Sequence, residues 1–214
     1  DRNSTGLIEA RQDLENAGFA TRLFSLEGVP CLMLHQRERG GDALVIVRLD
    51  RVRDEVAIQA PHSFHDLRTG DIALQSFIEG QMRTVFLNTA HRHHHSDITH
   101  TAESFLVAAS RAFLQAVPDG KIMQLHGFAS DELAAESIEI VVSNGTRAPT
   151  RSTIEVAQEL SAAFGAKAAI YGRDTRHYGA TKNAVGKLTR DNPDRFVHVE
   201  LSLNLRKKWA QVRP

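Results

Sequence analysis

Histidine and carboxylate side chains recur in this sequence where apolar segments end. His62 follows the segment Glu55–Gln59, His65 and Asp66 come shortly after it, and His126 ends another apolar segment. Neutral imidazole and carboxylate are common zinc ligands, and a hydrolytic zinc ion takes three such groups and keeps a fourth position for water. We therefore expect a zinc site formed by His62, His126 and either His65 or Asp66.

A later segment, residues 196–203, alternates polar and apolar side chains as a strand does. His198, Glu200 and Ser202 share one face of this predicted strand, and the apolar residues at 197, 199, 201 and 203 share the other. Hydrolysis by metal-activated water needs a group that accepts a proton from that water. We interpret Glu200 as this general base.

The segment from Asn88 to His100 contains five histidines and one arginine. The planar guanidinium of Arg92 suits a carboxylate, so we predict that Arg92 contacts the substrate and stabilises the oxyanion during catalysis. Asp97 and His100 are candidates for groups that orient a metal ligand. The consecutive histidines 93–95 cannot all face one site, and we interpret them as solvated loop residues.

Two further residues are candidates for substrate contact. Arg147 follows a strand-like segment, residues 137–143, and we expect it to face the same crevice, although a tight turn before a helix would also explain the segment. Asn183 follows the polar stretch 172–179, a type of loop that often carries substrate-binding groups. The basic residues 206–208 are interpreted as a solvated helix face.

The elements that must position these residues alternate between strands and helices. Strands are predicted at 29–34, 43–48, 55–59, 84–88, 122–125, 137–143, 166–171 and 197–203. Helices are predicted at 6–16, 70–79, 101–116, 153–164 and 181–190, with a last one from residue 205. This order predicts an α/β sandwich with a mixed or largely parallel sheet in a single domain, residues 1–214. Ligands of such sheets bind beyond the carboxyl ends of the strands, which is where the candidate residues lie.

The composition fits a compact domain without general affinity for polyanions. The 214 residues include 26 Lys+Arg and 26 Asp+Glu, and this zero formal net charge disfavours nucleic acid as a partner. The single cysteine, Cys31, excludes a cysteine-rich zinc module and an intramolecular disulfide. No apolar run approaches the roughly 18–20 residues that span a membrane. Because the chain begins at Asp1 rather than Met, export to a bacterial periplasm or the extracellular space is a further hypothesis.

Several of these segments together resemble a known family. Pro61-His62 after a strand, the Arg92 loop, Gln-Leu-His-Gly at 124–127 and Val-His-Val-Glu-Leu at 197–201 resemble the zinc carboxypeptidase-like hydrolases. The likeness is strongest to the N-formylglutamate amidohydrolase and deacylase branches, and it spans residues 55–206. It implies a three-layer α/β/α sandwich of the phosphorylase/hydrolase type, built around a mixed, largely parallel sheet.

The resemblance also implies roles for individual residues. His62 and His126 would bind zinc, Glu200 would act as the base, and Arg92 would contact a substrate carboxylate or the oxyanion. The family usually has a glutamate three residues after the first histidine, whereas this sequence has His65 there and Asp66 next to it. Both residues therefore stay open as the second ligand.

We accordingly expect a zinc-dependent amidohydrolase or carboxypeptidase-like metallopeptidase. Its substrate would be a small acylated amino acid or peptide with a free carboxylate. A metal-dependent esterase or deacetylase would use the same residues. A different class of protein, a noncatalytic metal-binding domain, would hold metal in the His-rich loop 91–100, and a degenerate hydrolase fold would serve only as a scaffold.

Overall fold

The computed structural model describes residues 2–37, 43–50, 54–89, 97–129, 131 and 133–212. Its α-helices are α1 Arg2–Asn16, α2 Thr69–Glu79, α3 Phe105–Ala116, α4 Arg151–Phe164, α5 Ala184–Leu188 and α6 Leu203–Val212. Its strands are β1 Phe19–Leu26, β2 Val29–Gln36, β3 Leu44–Arg48, β4 Asp54–Ala60, β5 Met82–Leu87, β6 Lys121–Phe128, β7 Ile140–Ser143, β8 Ala168–Ile170 and β9 Phe196–Ser202. Short 3-10 helices cover Ala134–Glu136 and Pro193–Arg195.

All of these strands join one mixed sheet, in the order β1-β2-β3-β5-β4-β6-β9-β7-β8. The central strands β5, β4, β6 and β9 run parallel, and β1, β2 and β3 extend the sheet by antiparallel pairing. On the other side, β7 pairs antiparallel with β9, and β8 pairs parallel with β7. The carboxyl ends of β4, β6 and β9 therefore meet at one edge of the sheet, whereas β7 ends at the opposite edge.

Helices cover both faces of the sheet. On one face α2, α4 and α6 pack against the central strands, in a core cluster that contains Phe77, Ala157 and Leu205. On the other face α3 and α5 pack through Phe113 and Val185, and α1 contacts the same cluster. The sheet is thus the middle layer of a three-layer α/β/α sandwich, which confirms the predicted fold class. In the part of the chain that the structure describes, no helix is long and apolar enough to cross a membrane.

The predicted helices and strands all have counterparts, but one strand was missed. β1 forms an antiparallel hairpin with β2 across the turn at Glu27 and Gly28. It is an edge strand whose side chains are half-buried or exposed, so it lacks the apolar run that marks a buried strand. α5 is also shorter than the helix predicted at 181–190.

Arg206 of α6 forms hydrogen bonds with three chain segments at the same edge of the sheet. Its guanidinium donates hydrogen bonds to the carbonyl oxygens of Leu201 at 3.0 Å, of Phe128 at 3.1 Å and of Leu67. Only 3% of Arg206 is exposed. The interpretation of this residue as solvated is therefore wrong, because buried carbonyl groups at the ends of β6 and β9 require a donor.

Gly127 leaves the space that this guanidinium occupies. A Cβ atom at Gly127 would overlap the Cζ atom of Arg206, and three hydrogen bonds prevent the guanidinium from moving aside. We predict that Gly127→Ala lowers the free energy of unfolding by about 1–3 kcal/mol, a typical cost of overpacking. Denaturant titration measures this loss.

Gly6→Ala is the matched control for this substitution. Gly6 lies in α1, where an added Cβ meets nothing within 4 Å. Alanine favours a helix interior over glycine by about 1 kcal/mol, so this variant should be slightly more stable than the wild type. Equal stability of Gly127→Ala and the wild type would contradict the packing argument.

Candidate metal centre

The turn after β4 carries two of the candidate ligands. The backbone N–H groups of His65 and Asp66 each donate to the carbonyl oxygen of His62, at 2.8 Å. This helical turn brings His62 and Asp66, four residues apart, to the same side, and it leaves His65 exposed. The amide of Asn88 anchors the turn by donating to the Pro61 carbonyl oxygen at 2.7 Å.

Three ligand atoms lie close together between this turn and β6. His62 Nδ1 is 3.1 Å from His126 Nδ1 and 3.4 Å from Asp66 Oδ2, and His126 Nδ1 is 3.5 Å from Asp66 Oδ2. Ligand atoms of a tetrahedral zinc ion with bonds of about 2.0–2.1 Å are about 3.3–3.4 Å apart. The three buried side chains therefore fit one face of a zinc coordination tetrahedron. The structure thus brings Asp66, and not His65, to this group.

Burial and hydrogen bonding shift the pKa values of these three groups. Burial lowers the pKa of His126, which favours the neutral imidazole that binds a metal. Burial also opposes protonation of His62, but hydrogen bonds to Asp66 and Asp97 outweigh it and raise the His62 pKa. Burial acts to raise the pKa of Asp66, yet hydrogen bonds to His126 and His62 hold that pKa far below its usual range. The group therefore contains an ionised carboxylate, which attracts a cation.

Asp97 contacts His62 on the side away from these ligand atoms. Its Oδ1 atom lies 2.9 Å from His62 Nε2 and accepts hydrogen bonds from the backbone N–H and the hydroxyl of Thr99, at 3.0 and 2.7 Å. A carboxylate at Nε2 holds the proton of a neutral His62 on that nitrogen and leaves the Nδ1 lone pair toward Asp66 and His126. Asp97 thus fixes the ring orientation of His62, with Nδ1 on the side of Asp66 and His126.

β9 brings Glu200 and His198 beside the same ligands. In the parallel pairing of β6 with β9, His126 lies opposite Glu200, and Gln124 lies opposite His198. His198 Nε2 is 3.6 Å from Glu200 Oε1, and the ring centroids of His126 and His198 are 4.7 Å apart. His126, His198 and Glu200 form a second group of close, buried ligand atoms, which shares His126 with the first group.

A cavity of about 370 Å³ lies over both groups, a volume suited to a small molecule. One of its walls is the loop 178–183, which contains Tyr178 and Lys182. Tyr178 has a φ of 59° and stacks on Phe128, with ring centroids 5.0 Å apart. The next residue, Gly179, packs so closely on the Tyr171 ring that no side chain would fit there. Packing of these aromatic rings therefore defines the position of the wall.

A row of buried amides connects this wall to the central strands. Asn183 donates to Gln124 at 2.7 Å, Gln124 donates to Gln59 at 2.8 Å, and Gln59 donates to Ser110 at 2.9 Å. The Asn183 oxygen also accepts two backbone N–H bonds at the start of α5. Asn183 does line the cavity, as expected of a substrate contact, but its amide already has these partners.

The structure does not bring Arg147 to the cavity. Arg147 is exposed and is not among the residues that line the cavity, contrary to the prediction. The reason is the direction of β7: its carboxyl end lies beside the beginning of β9, so that Gly145 packs near Phe196. Arg92 falls outside the described residues, as does the histidine triplet 93–95.

Two residues have a part in this region that the sequence did not predict. Lys182 lines the cavity, and Arg206 fixes the strand ends beneath it. Lys182 precedes the predicted contact Asn183, so a search of the whole loop rather than of strand ends would have included it. No local pattern distinguishes Arg206 from the exposed lysines beside it in the sequence.

The contact between Asp97 and His62 leads to a test of metal affinity. We predict that Asp97→Asn weakens zinc binding by about 10–100-fold, the usual effect of removing a carboxylate behind a metal-binding histidine. Competition with a chromogenic chelator measures the affinity. Asp119→Asn is the control, because Asp119 is exposed and precedes β6 at the opposite edge of the sheet. Unchanged zinc affinity of Asp97→Asn would contradict this role.

Comparisons with known proteins give likenesses of structure. Neither models of known protein families nor curated protein sequences match this chain significantly. The chain is similar to N-formylglutamate amidohydrolase from Ralstonia eutropha JMP134, with a TM-score of 0.49 and 9% identity over 75% of this chain and 85% of that one. It is also similar to the bottromycin maturation enzyme BotP in complex with Mn, with a TM-score of 0.40 and 11% identity over 89% of this chain and 57% of that one. At these identities and scores, neither likeness specifies an activity for this chain.

Proposed function

We propose that this protein is a metal-dependent hydrolase that cleaves an amide bond in a small acylated amino acid or peptide. The observation that carries the proposal is the triangle of His62 Nδ1, Asp66 Oδ2 and His126 Nδ1, with edges of 3.1 to 3.5 Å. This triangle is buried beside a cavity of small-molecule size, and the carboxylate of Glu200 lines the same cavity. A metal centre next to a base is the arrangement that metal-assisted hydrolysis requires.

His62, Asp66 and His126 would hold the metal ion. Two nitrogen donors and one oxygen donor suit zinc, and they also suit other first-row divalent ions such as manganese. A bound divalent ion supplies Lewis-acid activation of water and of a carbonyl oxygen. Asp97 and the Thr99 hydrogen bonds keep His62 in the tautomer that this role needs.

Glu200 would accept a proton from the attacking water. The water oxygen forms a bond to the amide carbon, and the C–N bond then breaks. Glu200 passes its proton to the leaving nitrogen, so that the carboxylate is regenerated for the next turnover. The position of Glu200 opposite His126 in the strand register supports this role.

The charges around the cavity support the proposed substrate class. Among the described residues that line the cavity, Lys182 is the one lysine or arginine. It is therefore available to an anionic group of the substrate. We assign it a contact with a free carboxylate, together with Arg92 of the loop outside the described residues. Small N-acylated amino acids and short peptides carry such a carboxylate next to the scissile amide.

Two rival functions make different predictions. An esterase or deacetylase would use the same residues, and only a panel of esters, acetamides and N-acyl amino acids separates it from an amidase. A noncatalytic domain would bind metal through the His-rich loop 91–100, most of which lies outside the described residues. No described contact favours either rival.

The proposed metal centre predicts a defined zinc content. Purified protein without a tag should contain about one zinc per chain, the number expected for a single three-ligand site. His126→Ala should lose this zinc, and replacement of His93, His94 and His95 together by alanine should retain it. Elemental analysis measures both. Loss of zinc only in the triple variant would instead favour the noncatalytic metal-binding domain.

The proposed role of Glu200 as the base predicts the effect of removing its carboxylate. Glu200→Gln should lower kcat/KM by about 10²–10⁴, the usual contribution of a general base, while the zinc content stays that of the wild type. Glu159→Gln on the exposed face of α4 is the control and should retain full activity. Full activity of Glu200→Gln on the best substrate of the panel would exclude Glu200 as the base.

The contact assigned to Lys182 predicts a dependence on substrate charge. Lys182→Ala should raise KM for a substrate with a free carboxylate by roughly 10-fold, since a hydrogen bond to a charged group contributes about 1.5–3 kcal/mol and part of this is screened near the surface. The KM for the corresponding neutral amide should not change. Lys187→Ala is the control, because Lys187 is exposed on α5 and does not line the cavity. An equal effect on both substrates would contradict the assignment.

A further inference from the structure

Two ring nitrogens on neighbouring strands are buried without a hydrogen-bond partner. They are Nε2 of His126 on β6 and Nδ1 of His198 on β9. The two residues are only 6% and 4% exposed. Leaving a buried donor or acceptor unpaired is unfavourable, so each of these nitrogens calls for a partner in the functional state.

The state of His126 follows from the proposed metal centre, on which this inference rests. A neutral imidazole has one N–H group and one lone pair. Since His126 Nδ1 lies 3.1 Å from His62 Nδ1 and 3.5 Å from Asp66 Oδ2, its lone pair is directed to the metal position. The proton of His126 is then on Nε2, and this N–H group needs an acceptor.

His198 is the neighbouring group that can accept this hydrogen bond. Its ring lies beside the ring of His126, with centroids 4.7 Å apart and planes inclined by 36°. The strand register places it opposite Gln124, two residues before His126 and on the same face of β6. If the Nδ1 lone pair of His198 faces His126, its proton is on Nε2, which lies 3.6 Å from Glu200 Oε1.

We infer that His198 is a positioning residue that connects the metal ligand His126 to the base Glu200. Neither hydrogen bond is formed in the structure, where the two ring nitrogens are unpaired and His198 Nε2 lies 3.6 Å from Glu200 Oε1. In the metal-bound protein, a small shift of the His198 ring would let His126 Nε2–H donate to His198 Nδ1 and His198 Nε2–H donate to the Glu200 carboxylate. This relay satisfies both buried ring nitrogens. It also fixes the tautomer of His126 and holds the Glu200 carboxylate toward the cavity.

The same three residues could instead hold a second cation, since they form a group of close ligand atoms. That arrangement would require both ring nitrogens of His126 as ligands, and His126 would have to lose both of its ring protons. It would also occupy the carboxylate that the proposed hydrolysis needs as a base. The relay keeps every ring neutral and leaves Glu200 ionised, so it is the simpler use of these groups.

The tautomers can be measured by long-range ¹H–¹⁵N NMR of the full chain, labelled at histidine and saturated with zinc. The relay predicts one zinc per chain, with His126 protonated at Nε2 and bound to zinc at Nδ1. His198 should be neutral, protonated at Nε2 and not bound to zinc. A proton on His198 Nδ1, or a second zinc with a His198 nitrogen as ligand, would overturn the relay while leaving the metal centre intact. A wild type that binds no zinc would overturn both the relay and the proposed function.

Substitutions at His198 separate its two hydrogen bonds. In His198→Asn the amide oxygen lies near the position of Nδ1, so zinc affinity should stay within about 3-fold of the wild type. His198→Phe removes the acceptor but keeps the ring volume, and it should weaken zinc binding by about 10–100-fold. Both variants should lose kcat with little change in KM, because both lack the donor to Glu200.

His35→Phe is the control for the effect of a new phenylalanine. His35 is exposed on β2, three strands away from β4. Its replacement by phenylalanine should therefore leave zinc affinity and kcat unchanged. Thermal denaturation of each zinc-free variant identifies any general loss of stability. Equal zinc affinity of His198→Asn and His198→Phe would overturn the relay. A purely steric role would not make the phenylalanine variant, which keeps the ring volume, bind zinc more weakly than the asparagine variant.

Discussion

The parallel pairing of β4, β6 and β9 is the constraint on which the candidate site depends. Strands that run in the same direction end at the same edge of a sheet, and side chains at matched register positions lie on the same face. The turn after β4 therefore lies next to His126, and Glu200 lies opposite His126 on β9. The strand pairing thus brings the candidate ligands and Glu200 to one cavity.

The charges at this edge are costly to bury and are balanced by groups from several elements. Asp66 is held between His62 and His126 and also accepts a hydrogen bond from the Gly127 N–H group at 3.1 Å. Burial lowers the pKa of Arg206, whereas the negative charges of Asp66 and Glu200 act to raise it. A buried cation that is hydrogen-bonded to three carbonyl oxygens thus interacts electrostatically with the candidate metal ligand Asp66 and with Glu200.

Neutral polar groups hold the rest of the site in place. The amide row from Asn183 through Gln124 and Gln59 to Ser110 runs across β6 and β4 to α3, and each donor in it has an acceptor. Because a partly satisfied buried network is less favourable than an apolar core, such a row specifies a single arrangement of the strands and the loop. It fixes the cavity wall relative to the candidate metal ligands without adding charge. The positions of the candidate ligands and of the cavity wall therefore depend on the same strand pairing.

Much of this architecture could be predicted from local sequence patterns. Alternation and apolar runs located the buried strands, and their order with the helices predicted the α/β sandwich, because these patterns reflect burial that each segment carries by itself. The edge strand β1 was missed because its half-exposed side chains lack such a pattern. The histidines at the strand ends, and Glu200 within a buried strand, were also visible as polar residues at positions that are usually apolar.

The choice between His65 and Asp66 depended on the tertiary structure, since a helical turn anchored by Asn88 brings residue 66 and not residue 65 toward His126. The exclusion of Arg147 from the cavity depended on the antiparallel direction of β7, which no feature of that segment encodes. The buried position of Arg206 depended on carbonyl groups from distant parts of the chain. The sequence by itself determined which residue types stand at the strand ends and which segments are buried. Only the tertiary structure decided which of those residues meet, because strand direction and register arise from contacts between segments far apart in the chain.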